Sequence, residues 1–222
     1  KHLNDLTESC QYVAVLPRGV IKGDHIFTND GTELMDVRPL MDCPKSLKVK
    51  NDCLRNEQLD EHDFVYIEGT VAVISSPGIE NWYHWLLQAL PRLIILKESG
   101  VPYDRILIRG IHYDWQRDSL KNVLTYLNIP EDKILIMNED KNVHIDVLLV
   151  PSLPFVPRKG TPFPQWLKTT LRKIFLENKD QVFEVCESTM DRIYISREFA
   201  STRRIINEHE LKTMLEKHGF KT

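Results

Sequence analysis

The chain has 222 residues, of which 42% are hydrophobic and 27% are charged, and its formal net charge is −3. This composition is typical of a globular protein, and the length suits one large domain or one domain plus part of another. The slightly negative net charge argues against nucleic acid as a partner. No apolar run reaches the roughly 18 residues that a membrane-spanning helix needs, so no integral membrane segment is expected.

Runs of β-branched and aromatic residues predict strands in the first third of the chain. These strands are Tyr12–Leu16, Val20–Phe27, Phe64–Glu68 and Thr70–Ser75. Residues 28–62, between the second and third strands, are expected to form an irregular polar connection.

From residue 81 onward, predicted helices and strands alternate. The helices are Asn81–Lys97, Trp115–Leu127, Phe163–Asn178 and Asn207–His218, and the strands are Arg105–Arg109, Lys133–Met137, Val143–Val150 and Asp191–Ser196. Alternation at this spacing predicts an α/β, Rossmann-like fold with a mostly parallel sheet. The continuous apolar runs 106–108, 134–136 and 147–150 indicate strands that are covered on both faces. In such folds, ligands bind beyond the carboxyl ends of the strands.

The segment from Pro151 to Pro164 contains five prolines together with Arg158, Lys159 and Gly160. It is typical either of a loop that crosses a ligand-binding cleft or of a plain linker.

Four cysteines occur in the chain: Cys10, Cys43, Cys53 and Cys186. None of them belongs to a CxxC pair, so a zinc knuckle is not predicted. Cys43 and Cys53 are near enough in sequence to form a disulfide, but free thiols in a reducing compartment fit this cysteine content at least as well. The cysteine content therefore favours a cytoplasmic location.

The most informative segment is Asn81–Leu93, with the sequence NWYHWLLQALPRL. On a helix of about 100° per residue, one side carries a set of side chains suited to ligand recognition, which we call the recognition stripe. The recognition stripe consists of Asn81, His84, Trp85, Gln88 and Arg92. An amide, an imidazole, an indole, a second amide and a guanidinium suit a polyhydroxylated or anionic ligand. A surface helix would instead carry Lys and Glu at such positions.

Structural explanations for the same residues remain open. Asn81 is also typical of a helix N-cap, His84 could be a structural histidine, and Trp85 could anchor the core. Pro91 favours function, because a proline inside a helix bends the axis at a cost of about 3 kcal/mol, and such distortions often lie at functional sites.

A second cluster comprises RIYISR at residues 192–197 and RRIINE at residues 203–208. Arg197 follows a predicted strand, while Arg203 and Arg204 precede the helix that Asn207 opens. Helix N-termini attract phosphate, and arginines add charged bidentate contacts, so this cluster could hold a pyrophosphate. The alternatives are solvated surface arginines and a simple capping box formed by Asn207 and Glu210.

Several motifs do not occur in the sequence. The chain has no GxGxxG, no GxxxxGK[ST], no HExxH and no GxSxG, which argues against the usual dinucleotide, P-loop, zinc-protease and hydrolase sites. It also has no Asp-x-Asp pair that could hold a divalent ion on a diphosphate. We therefore expect neither a metal site nor a bound cofactor.

The two clusters resemble the two conserved blocks of glycosyltransferase family 61, in the same order and about 100 residues apart. The likeness spans residues 65–222. Bacterial members are often labelled capsular polysaccharide biosynthesis proteins, and eukaryotic relatives include transferases of the secretory pathway, whose lumen would then be the location. The resemblance implies a two-domain GT-B arrangement and inverting, metal-independent sugar transfer.

The resemblance also implies a domain division. Residues 1–180 would form the N-terminal, acceptor-side domain with a β-rich extension, and residues 185–222 would form the first strand–helix unit of a C-terminal, donor-side domain. Relatives continue for about another hundred residues and carry a Gly-His-Gly-Ala-type loop. The chain is therefore expected to be truncated within its C-terminal domain.

These considerations predict a reaction between a nucleotide-sugar donor, which serves as co-substrate, and a glycan acceptor. His84 is the candidate catalytic base, because histidine is well suited to proton transfer near neutral pH. The predicted substrate-binding residues are Asn81, Trp85, Gln88 and Arg92, and the predicted diphosphate-binding residues are Arg197, Arg203, Arg204, Asn207 and Glu208.

Two rival functions remain. The first is a non-catalytic glycan- or partner-binding domain derived from such a transferase, and the second is another nucleotide-dependent enzyme on a Rossmann-like fold. Exposed aromatic residues could form either a saccharide-binding surface or the interface of a homo-oligomer.

Overall fold

A computed structural model describes residues 11–34, 64–75, 78–138, 140–155, 163–177 and 192–221 of the chain. The chain divides into two compact units, Lys1–Asn178 and Lys179–Thr222, which we call the first and second unit. All four cysteines, and with them the predicted alternatives for Cys43 and Cys53, lie outside the described residues.

The described strands of the first unit form a mixed, mostly parallel sheet. They are β1 (Val13–Lys22), β2 (His25–Phe27), β3 (Phe64–Val73), β4 (Arg105–Arg109), β5 (Ile134–Met137) and β6 (Asn142–Pro151). Their order is β2-β1-β6-β3-β4-β5. The β6–β3, β3–β4 and β4–β5 pairs are parallel, and the two pairs that involve β1 are antiparallel. The predicted α/β class with a mostly parallel sheet is therefore confirmed.

The predicted boundaries of the N-terminal strands are wrong. The break expected between Leu16 and Val20 is absent, because β1 continues through this stretch with Arg18 in the left-handed region at φ 53°. The chain turns instead at Gly23, within the predicted strand Val20–Phe27, so this segment forms the β1–β2 hairpin. The two strands expected around Gly69 are one strand, β3, with an irregularity between Ile67 and Thr70.

The predicted helix Asn81–Lys97 is present but is not a continuous α-helix. It consists of α1 (Trp82–His84), a π-helical turn (Trp85–Ala89) and α2 (Pro91–Ser99). The backbone N–H of Leu90 donates to the carbonyl of Trp85, five residues earlier, at 3.0 Å. Because Pro91 has no N–H to donate, the wider turn before it accommodates the proline at the first position of α2.

The remaining helices of the first unit are α3 (Asp114–Leu127) and α4 (Gln165–Arg172), and α4 continues into a π-helical turn at Lys173–Glu177. These elements lie close to the predicted helices. The expectation that 134–136 is covered on both faces is wrong, because β5 is an edge strand and Ile136 is 46% exposed.

The central strands lie between two apolar clusters. On β4, Ile106 and Ile108 belong to one cluster, together with Trp85 and the buried leucines of α2, and Leu107 belongs to the other. All three β4 side chains are fully buried. This burial on both faces explains the uninterrupted apolar run in the sequence.

The second unit contains α5 (Glu208–Lys217), as the sequence predicted. The predicted strand Asp191–Ser196 is reduced, within residues 192–221, to an isolated parallel bridge between Ile193 and Lys221. A helix between two parallel-bridged segments is the connectivity of a βαβ unit.

No helix in the described parts of the chain combines the length and apolarity that crossing a membrane requires.

Candidate active site

The chain forms the candidate site where it leaves the carboxyl ends of β3 and β4. Gly78, with φ +80°, accepts a hydrogen bond from the backbone N–H of Asn81 at 2.8 Å, and α1 starts immediately afterwards. The side chain of Asn81 accepts from the backbone N–H of Tyr83 at 2.8 Å. The N-cap interpretation of Asn81 is therefore correct, and its amide oxygen orders the first helical turn.

His84 is half-buried at this turn, and its Nδ1 lies 2.7 Å from Oε1 of Gln88. Since an amide oxygen only accepts, Nδ1 carries the proton and donates it to Gln88. Nε2 then has its lone pair available for a proton, and no described residue forms a hydrogen bond with it. The pair Gln88–His84 thus fixes both the ring orientation and the tautomer that a general base requires.

The ring of His84 is also confined by its neighbours. A Cβ atom on Gly78 would lie 3.1 Å from Cδ2 of His84, so only glycine leaves this space open without strain. The ring of Tyr83 meets that of His84 edge-on at 5.4 Å between centroids. Close packing on two sides limits the positions that the imidazole can take.

The recognition stripe does not face an open cleft along its length. Trp85, Gln88 and Arg92 are each 0% exposed, and only the first turn of the segment, with Asn81 and His84, is accessible. The expectation that the helix has one ligand-facing side is therefore corrected. From Gln88 to Leu96 every residue of the helix is buried, and a helix stretch that is buried all round shows no polar outer face.

Trp85 and Arg92 hold the structure together through polar contacts inside the core. The indole Nε1 of Trp85 donates to Oγ of Ser119 on α3 at 2.8 Å. Nη1 of Arg92 donates to the backbone carbonyl of Ser75 at the end of β3 at 2.9 Å. Burial lowers the pKa of Arg92 to about 10, and the guanidinium remains charged at neutral pH.

Sequence reasoning missed two buried polar residues at the same edge. Arg109, at the end of β4, donates to the carbonyls of Gly23 and Lys141, the latter at 2.8 Å. Gln116 on α3 accepts from the backbone N–H groups of His112 and Tyr113, at 2.8 and 3.0 Å. For Arg109, the signal in the sequence was a charged residue at the end of a fully apolar strand.

The second unit presents the arginine loop, residues 197–204. Nε and Nη2 of Arg197 donate to the carbonyls of Arg203 and Thr202, both at 3.0 Å, and Nε of Arg204 donates to the carbonyl of Ala200 at 2.6 Å. Arg203 has φ 54°, in the left-handed region. The three arginines are exposed. The loop is therefore folded around its own arginines, which still present N–H groups to solvent.

Glu208, the first residue of α5, is only 8% exposed and organises this loop. Its Oε1 accepts hydrogen bonds from the backbone N–H of Arg197, from Tyr194 Oη and from Ser196 Oγ, at 2.8, 2.8 and 2.9 Å. These bonds, led by the Arg197 N–H, lower the pKa of Glu208. The hydrogen bond to this carboxylate raises the pKa of Tyr194.

Asn207 stands at the N-cap position of α5 but makes no side-chain cap hydrogen bond. Its Nδ2 lies 3.5 Å from Oε2 of Glu210. The alternative interpretation of Asn207 and Glu210 as a reciprocal capping box is therefore wrong. The backbone N–H groups of the first turn of α5 are available to an anion, together with the arginine loop.

A family model described as Glycosyltransferase 61 matches residues 82–222, which include the second motif cluster and all of the first except Asn81. The chain belongs to glycosyltransferase family 61. Comparisons with curated proteins and with solved structures gave no match.

For this family 61 chain, His84 lies in the first unit and the arginine loop lies in the second. Within the described residues, His, Cys, Asp and Glu form no group of three that could hold a metal ion.

Proposed function

We propose that the chain transfers a sugar from a nucleotide-sugar to a glycan acceptor, with inversion and without a metal ion. Membership of glycosyltransferase family 61 supports the general class. The observation that carries the proposal is the 2.7 Å contact between His84 Nδ1 and Gln88 Oε1. This contact leaves Nε2 of a half-buried imidazole available as a base at the carboxyl edge of a parallel sheet.

In the proposed reaction, Nε2 of His84 takes the proton from an acceptor hydroxyl as the hydroxyl oxygen attacks the anomeric carbon. The bond from that carbon to the nucleotide diphosphate breaks, and the bonding electrons leave with the diphosphate oxygen. A single in-line displacement inverts the anomeric centre. Gln88 keeps the Nδ1–H bond throughout, so its carbonyl dipole stabilises the imidazolium that forms.

The arginine loop is the proposed site for the departing diphosphate. Arg197, Arg203 and Arg204 carry permanent positive charge, and the first turn of α5, with Asn207, offers N–H groups. The carboxylate of Glu208 would repel a diphosphate that touched it directly. Because its Oε1 already accepts three hydrogen bonds, we assign Glu208 to shaping the loop rather than to contact with the donor.

The GT-B arrangement that the family resemblance implies is part of this proposal, with the acceptor assigned to the first unit and the donor to the second. Trp85, Gln88 and Arg92 would then act from within the fold, because they are fully buried. Asn81 is the one predicted substrate-binding residue at the exposed first turn, where it orders the backbone around His84.

The experiment is a transfer assay with the chain and a panel of UDP- and GDP-sugars, followed by mass spectrometry of the products. His84→Ala is expected to lower turnover about 10²–10⁴-fold, which is the usual contribution of a general base. His218→Ala, which removes an exposed histidine at the end of α5, is the control and should leave turnover unchanged. Turnover of His84→Ala within a few-fold of the unaltered chain would exclude His84 as the base.

A non-catalytic glycan-binding domain is the second candidate, because three of the four predicted substrate-binding side chains are buried. Calorimetric titration separates the two functions. Micromolar binding of a nucleotide-sugar supports the enzyme, whereas oligosaccharide binding without any nucleotide binding supports the binding domain.

A further inference from the structure

Three aromatic rings form a continuous surface at the carboxyl edge of the sheet, which we call the aromatic platform. It consists of Trp82 on α1, Tyr113 in the loop after β4, and Trp115 at the start of α3. Trp82 meets Trp115 edge-on at 4.9 Å between centroids, and Tyr113 stacks on Trp115 at 5.5 Å with 12° between the ring planes. Trp82 is 52% exposed and Tyr113 is 47% exposed.

A buried residue, Gln116, fixes the position of the aromatic platform. Gln116, which is fully buried, accepts from the Tyr113 backbone N–H and donates from Nε2 to the carbonyl of Ile79 at 3.1 Å. It therefore ties the loop after β4 to the loop that leads into α1. Trp115 also contacts the buried ring of Trp85, at 6.4 Å between centroids. Large exposed aromatic rings that are fixed in this way are typical of a binding surface.

The aromatic platform and the proposed catalytic base share one helical turn, α1. Trp82, Tyr83 and His84 are consecutive residues of one helical turn, about 100° apart around the axis, so Trp82 and His84 are about 160° apart and lie on different sides of the helix. A ligand that rests on Trp82 and reaches His84 must pass around the helix tip. A single sugar ring would not connect the two positions, whereas a chain of several rings would.

We propose that the aromatic platform binds a neutral oligosaccharide whose pyranose rings carry equatorial hydroxyls, as the acceptor subsite of the proposed transferase. Only the assignment of this oligosaccharide as the acceptor rests on the proposed function. The binding site itself stands on the geometry of Trp82, Tyr113 and Trp115.

The chemistry of the surface favours this ligand. The faces of aromatic rings carry partial negative charge, and the C–H groups on the flat side of an all-equatorial pyranose carry partial positive charge, so the two stack. Glu80 and Asp114 are exposed, and in the sequence Glu80 lies two residues before Trp82 and Asp114 lies between Tyr113 and Trp115. Their carboxylates accept hydrogen bonds from sugar hydroxyls and disfavour an anionic saccharide.

The test uses nuclear magnetic resonance of the ¹⁵N-labelled 222-residue chain, in which each of the four tryptophans gives one indole N–H signal. The probes are cellotetraose, xylotetraose and chitotetraose, with glucose as the single-ring comparison. At least one tetrasaccharide should shift the signals of Trp82 and Trp115 in a saturable manner. Glucose should bind at least 10-fold more weakly.

Two variants locate the site. Trp82→Ala and Tyr113→Ala should each weaken tetrasaccharide binding about 10-fold or more, while a dispersed amide spectrum shows that the chain is folded. Tyr126→Ala is the matched control, because Tyr126 is an exposed aromatic residue on the same helix, α3. It lies 13 residues from Tyr113, which is about 20 Å along the helix axis, and its loss should leave binding unchanged.

Several outcomes would overturn the proposal: no saturable shift with any tetrasaccharide, equal weakening by Tyr126→Ala, or shifts that depend on protein concentration alone. The last would identify a second copy of the chain as the occupant, and light scattering would then report a dimer. If binding is found but the unaltered chain transfers no sugar, the proposed function fails and the binding site stands.

Discussion

The segment Asn81–Arg92 and the arginine loop, residues 197–204, are both rich in polar groups, yet the fold treats them in opposite ways. In the first segment, Trp85, Gln88 and Arg92 are sealed in the core, and only the first turn is accessible. In the arginine loop, the three arginines stay exposed, and the guanidinium groups of Arg197 and Arg204 donate to carbonyls of their own loop. A polar motif can therefore either support a site from inside or form its surface.

The difference follows from the neighbours of each segment. The helix of the first segment follows a central strand, so its polar groups must find partners inside the core or be excluded from it. Gln88 binds His84, Arg92 binds the Ser75 carbonyl, and the Trp85 indole binds Ser119. In the loop, the buried partner is a single carboxylate, Glu208, and the arginines face solvent.

The largest expected effect is on stability in the first segment. Trp85→Ala should lower the free energy of unfolding by about 3–5 kcal/mol, because it leaves a cavity between α2 and α3 and removes the partner of Ser119. Urea unfolding followed by circular dichroism measures this change. Trp82→Ala, which removes an indole that is half-exposed, should cost clearly less, and equal costs would contradict the assignment of Trp85 to the core.

A change at Gln88 tests whether a buried residue positions the catalytic base. Gln88→Leu should lower kcat about 100-fold while acceptor KM changes little, because the imidazole loses its fixed orientation. Gln88→Glu keeps an acceptor for Nδ1–H and should restore most of the activity. It should also move the acidic limb of the pH–kcat profile, because a carboxylate stabilises imidazolium. Equal losses in the two variants, with no shift of the profile, would indicate a purely structural role.

Alanine substitutions at two glycines distinguish the effect of backbone strain from the effect of displacing His84. Gly78 and Gly100 both have positive φ, +80° and +67°, so alanine at either should cost about 1–2 kcal/mol of stability. A methyl at Gly78 also meets the His84 ring, while at Gly100 nothing lies within 4 Å. Thermal unfolding should show similar losses, and only Gly78→Ala should lose turnover. Equal activity of the two variants would show that this contact is unimportant.

The smallest expected effect is a pH dependence confined to the second unit. The hydrogen bonds of Glu208 lower its pKa, so they stabilise the folded loop fully above the ordinary value of 4.5, and this stabilisation is lost as the pH falls through the lowered pKa. The amide signal of Arg197 should report the loss in acid. Glu208→Gln should flatten this dependence, and Glu216→Gln, an exposed change on α5, should leave it as it is.

Local sequence signals predicted most of the elements correctly, because they depend on short-range physics. The N-cap at Asn81, the extent of α5 and the fully buried strand β4 follow from capping chemistry and hydrophobic periodicity. The strand boundaries near Gly19, Gly23 and Gly69 were wrong, because pairing with β6 and β2 decides where a strand bends and where it ends.

The candidate site was only partly predictable. The position of His84 at the carboxyl edge of the sheet follows from the order of strands and helices. Its hydrogen bond with Gln88 depends on the actual helical geometry. The aromatic platform could not be foreseen, since Trp82 and Trp115 are 33 positions apart in the sequence and meet only through the packing of α3 beside α1.

The sequence by itself determined the family, the α/β class and the order of helices and strands, because these depend on residue types and spacings along the chain. Only the tertiary structure decided which sides of those elements are covered. Burial depends on contacts between distant residues, and those contacts turned most of the recognition stripe inward while leaving Trp82, Tyr113 and the arginine loop exposed.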